Sequence, residues 1–286
     1  GHVASVALLA REGGLSADWR AEMYEGGRIR GHMVPDVLTS QLRDEAAGEP
    51  SGVRVVRIAT HPAVRDRGLG SALLEAVEDE FRDDVDWLGA GFGATPELVD
   101  FWAANGYGAV HLSTTRNDAS GEHSAVVLRP TSDAGRALRD RHADWFAARA
   151  PAVLGDALAD ADPDVVRATL RATPADPDPT LGDRGWRLVA GAAYGPALYD
   201  VDPRPFRDLA AAHLVAGDPD ALSAREERLL VRRALQGQSW GTVADAMGFH
   251  STRQCMRALG DAFRPLVDAW GDESALAERE RFLDDG

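Results

Sequence analysis

Residues 57–71 read Arg-Ile-Ala-Thr-His-Pro-Ala-Val-Arg-Asp-Arg-Gly-Leu-Gly-Ser, and this stretch decides the fold of the first half of the chain. It passes from an apolar, β-branched strand through a His-Pro turn and a glycine loop into a helix. Glycines at 68 and 70 let a phosphate group approach the backbone, and the N–H groups at a helix start attract anions. Ordinary turns also contain such glycines, so the loop indicates phosphate binding only together with the neighbouring motifs.

Strands and helices alternate around this loop. Strands are predicted at 3–9, 53–60, 86–92, 107–112 and 122–128, the first as a buried strand, and helical pieces at 15–47. Apolar residues keep helical spacing from Leu69 to Phe81, and Thr95-Pro96-Glu97 has the N-cap, proline and acidic residue of another helix start. The alternation predicts an α/β domain over residues 1–130.

The remainder is predicted to be mainly helical. Residues 131–184 are interpreted as a connector, helical to about 150 and then a loose segment rich in aspartate and proline. Residues 185–286 are predicted to form a mostly helical tail, with a short strand pair at 186–200. Ser223 and Glu226 form a capping-box pattern, and Ser239 and Ser251 are candidate N-caps of two further helices. The helices in 223–270 loosely resemble a helix-turn-helix.

Composition excludes several classes of protein. The net charge is −15 and every one of the 31 basic residues is arginine, a balance typical of proteins that work in concentrated salt, where the Debye length falls to roughly 3 Å. A Walker A loop requires lysine, so the chain contains no P-loop ATPase module. The single Cys255 excludes disulfides and multi-cysteine metal sites. No apolar run approaches the ~18 residues of a membrane span, and Gly1-His2-Val3-Ala4-Ser5 lacks the basic start typical of a signal peptide. We therefore expect a soluble, cytoplasmic protein without membrane partners.

Two motifs follow one another along the chain. The first is Arg-x-x-Gly-x-Gly at 65–70, and the second is Phe101-Trp102-Ala103-Ala104-Asn105-Gly106-Tyr107. Together they resemble the GCN5-related acetyltransferase (GNAT) family. The resemblance implies an α/β GNAT fold over 1–130, in which two parallel strands splay around the pantetheine arm of acetyl-CoA. It also implies that a backbone N–H in the cofactor strand polarises the thioester carbonyl.

Two longer runs are more distinctive. They are Gly91-Phe92-Gly93-Ala94-Thr95-Pro96-Glu97-Leu98 and Thr115-Arg116-Asn117-Asp118-Ala119-Ser120-Gly121-Glu122-His123-Ser124. These runs resemble one branch of that family, the tRNA(Met) cytidine acetyltransferases and their rRNA-acetylating relatives. The resemblance implies acetyl transfer from acetyl-CoA to N4 of cytidine, at the wobble position of elongator tRNA(Met), with tRNA or rRNA as partner. Family members also carry an N-terminal ATPase that uses ATP. Either this chain is a C-terminal fragment or the ATPase lies on another chain, and the abrupt opening at His2-Val3 favours a fragment.

The resemblance assigns the cofactor contacts by position. They are Ile58, Ala59 and Thr60 on the strand, Arg65, Asp66, Arg67, Gly68, Leu69, Gly70 and Ser71 in the loop and helix start, and Glu97. Some family members have a basic residue where this chain has Ala104, so one contact is expected to be missing.

Two residues are candidates for a catalytic role. His61 follows the cofactor strand and is interpreted either as a general base or as a turn histidine set by Pro62. Arg116 is interpreted either as a contact to RNA or as a solvated loop arginine. His123, on a strand, is expected to be a packed core histidine, and Phe101 and Trp102 are expected to lie in the core.

The tail has the opposite charge balance to the whole chain. Residues 221–270 hold seven arginines and five acidic residues, a net charge of +2 against −15 overall. This contrast favours a nucleic-acid surface. The arginines expected to contact phosphate are Arg232, Arg233, Arg253 and Arg257; the alternative is a small helical bundle with ordinary surface arginines.

Two other functions remain open from the sequence. The same fold serves protein and small-molecule N-acetyltransferases. A helix-turn-helix regulator could also use a GNAT domain only to sense acetyl-CoA. The run at 91–98 argues against both.

Overall fold

The computed structural model describes residues 2–118 and 120–283, so Ala119 of the second family-like run lies outside the described residues. The chain forms two compact units, residues 1–143 and 144–286. The sequence-based division at residues 130 and 184 stays a prediction. In the described residues, no helix combines the length and the apolar character needed to cross a membrane.

The first unit is built on one five-stranded sheet with the order β1-β2-β3-β5-β4. The strands are β1 (Ser5–Glu12), β2 (Gly52–Thr60), β3 (Trp87–Gly93), β4 (Gly108–Arg116) and β5 (His123–Pro130). Only β2 and β3 run parallel; the β1–β2, β3–β5 and β5–β4 pairs are antiparallel. Helices α1 (Ala17–Tyr24) and α2 (Met33–Asp36), followed by a π-helical turn (Val37–Gln41), lie between β1 and β2, and α3 (Leu69–Phe81) and α4 (Pro96–Ala104) flank β3. The predicted α/β fold is confirmed.

The sheet has two different faces. Trp87, Gly89, Gly91 and Gly93 alternate along β3 on one face. We call this the glycine face. Apolar residues around Trp87 form a core on it: Val34, Leu38, Ala47, Val110, Val126, Leu128 and Leu138. On the opposite face, Phe92 stacks on Trp102 of α4, with ring centroids 5.8 Å apart.

One strand prediction is wrong in its burial. Residues 3–9 were expected to lie in a buried strand, but β1 is the edge strand, and Val6 and Leu8 are 55% and 57% exposed. Both residues lie on the same side of β1, because side chains alternate along a strand. An edge strand pairs on one side only, and here part of one face is also uncovered.

The second unit is helical. It contains the end of α5 (Asp133–Leu154), then α6 (Pro163–Arg171), α7 (Gly182–Tyr194), α8 (Arg204–Ala216), α9 (Ala224–Leu229) with a following π-helical turn (Leu230–Leu235), α10 (Trp240–Met247), α11 (Thr252–Trp270) and α12 (Glu273–Leu283). The predicted caps are confirmed, with a capping box at Ser223 and side-chain caps from Ser239 and Ser251. Gly248, in the left-handed region at φ 69°, ends α10.

Two expectations for this unit are wrong. The strand pair expected at 186–200 is helix α7, because Trp186, Val189, Ala190 and Ala193 recur at helical spacing and are all buried. Part of the expected loose segment is helix α6, which buries Val166 and Leu170 and begins at the N-cap Asp162.

Candidate acetyl-CoA site

A cleft of about 470 Å³ opens beside β2 and the start of α3. Its wall consists of Ile58, Ala59, Thr60, Val64, Arg65, Asp66, Gly68, Leu69, Gly70, Ser71, Leu98 and Phe101. Nine of the eleven residues predicted to contact the cofactor lie on this wall; Arg67 and Glu97 do not. Sequence reasoning missed Val64 and Leu98, and it placed Phe101 in the core, whereas Phe101 is half-buried and faces the cleft.

The cleft exists because two parallel strands separate. The β2–β3 ladder runs from Gly52–Trp87 to Val55–Ala90 and then stops. Strand β2 continues to Thr60 and β3 to Gly93 without pairing to each other. Val56 is an extra residue on β2 opposite Leu8 and Leu9, and such a bulge bends the strand locally. This separation is the splay that the family resemblance implied.

The free edge of β2 presents alternate residues to the cleft. Ala59 O accepts a hydrogen bond from Ser5 Oγ at 3.1 Å, and His61 N–H donates to Ala4 O at 2.8 Å, so both face β1. Because backbone groups alternate along a strand, Ile58 and Thr60 point their N–H groups the other way. The backbone of Ala59 is therefore turned away from the cleft, contrary to the sequence-based expectation.

Arg65 holds the loop against the end of β2. Its Nε donates to Thr60 O at 3.3 Å. This bond occupies the Thr60 carbonyl and leaves the Thr60 and Ile58 N–H groups as the donors on this edge. An extended ligand chain with a carbonyl could therefore pair with β2 as an added half-strand.

The start of α3 supplies a second set of donors. Gly68 is the N-cap residue and has no side chain with which to cap the helix. The helix begins with a bond from Ala72 N–H to Gly68 O at 2.9 Å, so the N–H groups of Leu69, Gly70 and Ser71 have no partner within the helix. Asp66 and Gly68 both lie at positive φ, 59° and 73°, and such alternation turns successive N–H groups toward one point. The arrangement suits a diphosphate.

The two glycines of the motif are needed for different reasons. Gly68 has open space around it, and its positive φ is what favours glycine. Gly70 is helical, but a Cβ there would lie 3.3 Å from the Phe101 ring. The motif thus encodes one backbone conformation and one close approach of α3 to α4.

His61 is tied into the turn that follows β2. It is exposed, and its Nδ1 accepts a hydrogen bond from Ala63 N–H at 3.2 Å. With Nδ1 used as an acceptor, the neutral ring carries its proton on Nε2, where it can donate but not accept. This geometry supports the turn-histidine alternative, and the role of His61 as a base stays a prediction.

Arg116 and His123 lie where β4 and β5 meet. Arg116 Nη1 donates to Gly121 O at 2.9 Å and closes the loop between the two strands. A catalytic role for Arg116 stays a prediction. His123 is buried, as expected of a core histidine, and its Nδ1 lies 2.9 Å from Ser113 O.

The four arginines predicted to bind RNA separate into two pairs. Arg233 stacks between Tyr199 and Trp240 and forms an ion pair with Asp200 at 2.6 Å. These contacts engage the Arg233 side chain within the protein, and its contact with phosphate stays a prediction. Half-buried Arg232 donates to Gln238 Oε1 at 3.2 Å. By contrast, both arginines near the start of α11, Arg253 and Arg257, are exposed, one turn apart.

Comparison with known proteins agrees with this geometry. The family model described as GNAT acetyltransferase 2 matches residues 2–84 and 71–132. The chain is 62% identical over 99% of its length to the tRNA(Met) cytidine acetyltransferase TmcA of Haloferax volcanii and 57% identical over 99% to that of Haloarcula marismortui. It is 36% identical over 98% to the protein of the same name from Nitrosococcus halophilus.

The chain spans little more than a third of the length of these curated relatives, 37% of the first two and 38% of the third. The matches nevertheless extend through both compact units of the chain. By sequence, the chain therefore belongs to the tRNA(Met) cytidine acetyltransferase family, and its first unit carries the GNAT acetyltransferase domain.

Proposed function

We propose that this chain transfers the acetyl group of acetyl-CoA to N4 of a cytidine in RNA, the wobble cytidine of elongator tRNA(Met) in the first instance. One observation carries the proposal: the unpaired edge of β2 and the uncapped start of α3 open into the same cleft. The first can pair with a pantetheine amide chain and the second with a diphosphate, which are the two recognisable parts of coenzyme A. The names of the relatives supply the acceptor.

Acetyl-CoA supplies an activated acyl group as a thioester. The backbone N–H of Ile58 or Thr60 is placed to donate to the thioester oxygen and to stabilise the charge that develops there. The exocyclic amine of cytosine is conjugated with its ring and is a weak nucleophile, so positioning and proton removal carry much of the barrier. A wobble base in a loop is already single-stranded, so its exposure costs little.

The reaction is tested with the 286-residue chain, acetyl-CoA and elongator tRNA(Met) in about 2 M KCl, where surface repulsion between acidic groups is screened. Nucleoside mass spectrometry of the digested tRNA is expected to show N4-acetylcytidine. A tRNA with uridine at the wobble position is expected to yield none. Acetylation of polyamines or peptides but not of tRNA would support the small-molecule alternative, and duplex binding without transfer would support the regulator.

ATP hydrolysis is not assigned to this chain, because a chain without lysine has no Walker A loop. The assay is therefore run with and without ATP, and the product is expected in both. If the chain alone gives no product and the addition of a P-loop ATPase restores it, acetylation requires that other module.

RNA binding by the tail is assigned to the start of α11. Exposed Arg253 and Arg257 follow the turn after α10, where a helix-turn-helix presents its second helix. In the double variant Arg253→Ala/Arg257→Ala, tRNA binding should weaken and the slope of log K against log salt should shrink by about 2. Exposed Arg187 on α7 provides the matched control, Arg187→Ala, which should leave that slope unchanged. An unaltered slope in the double variant would remove α11 from the RNA surface.

A further inference from the structure

A carboxylate on the glycine face lies beside the splayed strands. Glu122 precedes β5, and a Cβ placed on Gly93 would overlap its Oε2. Gly93 is the last residue of β3. The Glu122 carboxylate therefore lies directly over the backbone at the end of the strand that leaves β2.

The Glu122 carboxylate and the cleft both lie beyond the last paired residues of β2 and β3. The last paired residues of the splay are Val55 and Ala90. Three residues further along each strand lie Ile58, which lines the cleft, and Gly93, which lies under Glu122. The Ile58 N–H is one of the two groups available to hold the thioester oxygen, so the carboxylate and the reacting carbonyl would both lie beyond the point where the two strands part.

The coenzyme and the amine acceptor would occupy different faces of the sheet. The coenzyme cleft is lined by residues of α3 and by Leu98 and Phe101 of α4. Helix α4 packs on the face opposite to Glu122, where Phe92 meets Trp102. Most of the glycine face is filled, since Met33 packs over Gly91 and the apolar core surrounds Trp87, whereas the group that lies over Gly93 is the Glu122 carboxylate. An amine that reaches the thioester at the Gly93 end of this face would therefore meet that carboxylate.

The loop fixes Glu122 in this position. Its carbonyl accepts a hydrogen bond from Asn117 N–H at 2.8 Å, and its own N–H donates to Ser120 Oγ at 3.4 Å. The side chain is half-buried. These bonds fix the backbone of Glu122, so its half-buried side chain extends over Gly93 from a defined starting point.

We propose that Glu122 accepts the N4–H group of the incoming cytosine and removes its proton during acetyl transfer, an inference that rests on the proposed function. A carboxylate is the side chain that matches the N4 amino donor of cytosine. The N4 lone pair forms the C–N bond, the carbon–sulfur bond breaks, and coenzyme A leaves as a thiolate. The proton from N4 passes to Glu122 and then to the sulfur or to water, so the carboxylate is regenerated.

Glu122→Gln is expected to lower kcat for tRNA acetylation by about 100-fold or more, the usual contribution of general base catalysis, with the Kd for acetyl-CoA unchanged. In Glu122→Ala, replacing KCl by an equal concentration of potassium formate should restore activity several-fold, because formate can occupy the vacated carboxylate position. The matched control is Glu80→Gln on an exposed position of α3, which should behave as wild type.

Gly93→Ala gives an independent test without altering the carboxylate. The added Cβ would meet the flexible end of Glu122, so the fold should persist while the carboxylate moves aside. Its kcat should fall as in Glu122→Gln, and the double variant should be no slower than either single variant. Full activity in Glu122→Gln, or no response of Glu122→Ala to formate, would overturn the inference. A wild-type chain that binds acetyl-CoA but acetylates no RNA would overturn the proposed function itself.

Discussion

Ser71→Asp is expected to abolish acetyl-CoA binding while leaving helix α3 at least as stable as before. Ser71 lies on the cleft wall and is the third residue after the N-cap Gly68. An aspartate there interacts favourably with the helix dipole, by about 0.3–1 kcal/mol. The same aspartate would repel a bound diphosphate, because two like charges about 4 Å apart near a protein surface repel each other by about 4 kcal/mol. Screening in concentrated salt reduces this repulsion, so the Kd should rise by about 100-fold or more.

Calorimetric titration with acetyl-CoA measures the loss of binding, and thermal unfolding measures the stability. Ser71→Asn is the matched control, since it has nearly the same size without the charge, and its Kd should stay within a few-fold of wild type. The opposite signs of the two effects separate this prediction from general damage to the fold. A Ser71→Asp variant that binds acetyl-CoA as tightly as wild type would place the diphosphate away from α3.

Sequence patterns were sufficient for the α/β unit because its signals are local. The helix after Gly68 and the cap at Thr95 depend on residues within one turn of each other, as does the cap at Ser223 in the second unit. Strand β1 was placed correctly, but its exposure was not. An apolar run reports that a strand can be buried, whereas its place at the edge of the sheet depends on pairing with β2 far along the chain.

The site likewise has a part that local sequence patterns predict and a part that depends on long-range contacts. The glycine loop was predictable because the residues from 65 to 71 act through their own backbone. Glu122 was not identified as functional, since its importance comes from Gly93, which lies on another strand. A signal was present in the alternation Gly89, Gly91, Gly93, which predicts a strand with one bare face. Which side chain lies over that face depends on contacts between residues that are far apart in the sequence. Arg233 illustrates the reverse case, because only the fold brings it between Tyr199 and Trp240.

Glu227→Ala is expected to destabilise the second unit by about 3 to 5 kcal/mol, the usual effect of removing one partner from a buried ion pair. Glu227 is 1% exposed, and it accepts hydrogen bonds from Arg167 and Arg171. His213 Nε2 lies 3.8 Å from its Oε1. Without the carboxylate, Arg171 would lose the counter-charge that Glu227 provides, and Arg167 would be left with its ion pair to Asp164. Unfolding by guanidinium chloride measures the effect, and Glu280→Ala on an exposed part of α12 should change stability by less than about 0.5 kcal/mol.

The same cluster predicts how stability depends on pH. Burial alone would raise the pKa of Glu227, but the nearby His213 ring and the hydrogen bonds from Arg167 and Arg171 outweigh it and lower the pKa to about 2 from an ordinary 4.5. A lowered pKa means that the carboxylate stabilises the fold fully above about pH 4.5 and loses this contribution as the pH falls toward 2. The stability difference between wild type and Glu227→Gln should therefore be constant from neutral pH down to about 5 and shrink below it by roughly 3 kcal/mol. A difference that persists unchanged at pH 3 would mean that Glu227 has the same pKa in the folded and unfolded states, and the lowered pKa would be wrong. Because the group is buried, added KCl should alter this difference far less than it alters the stability contributed by the exposed acidic residues.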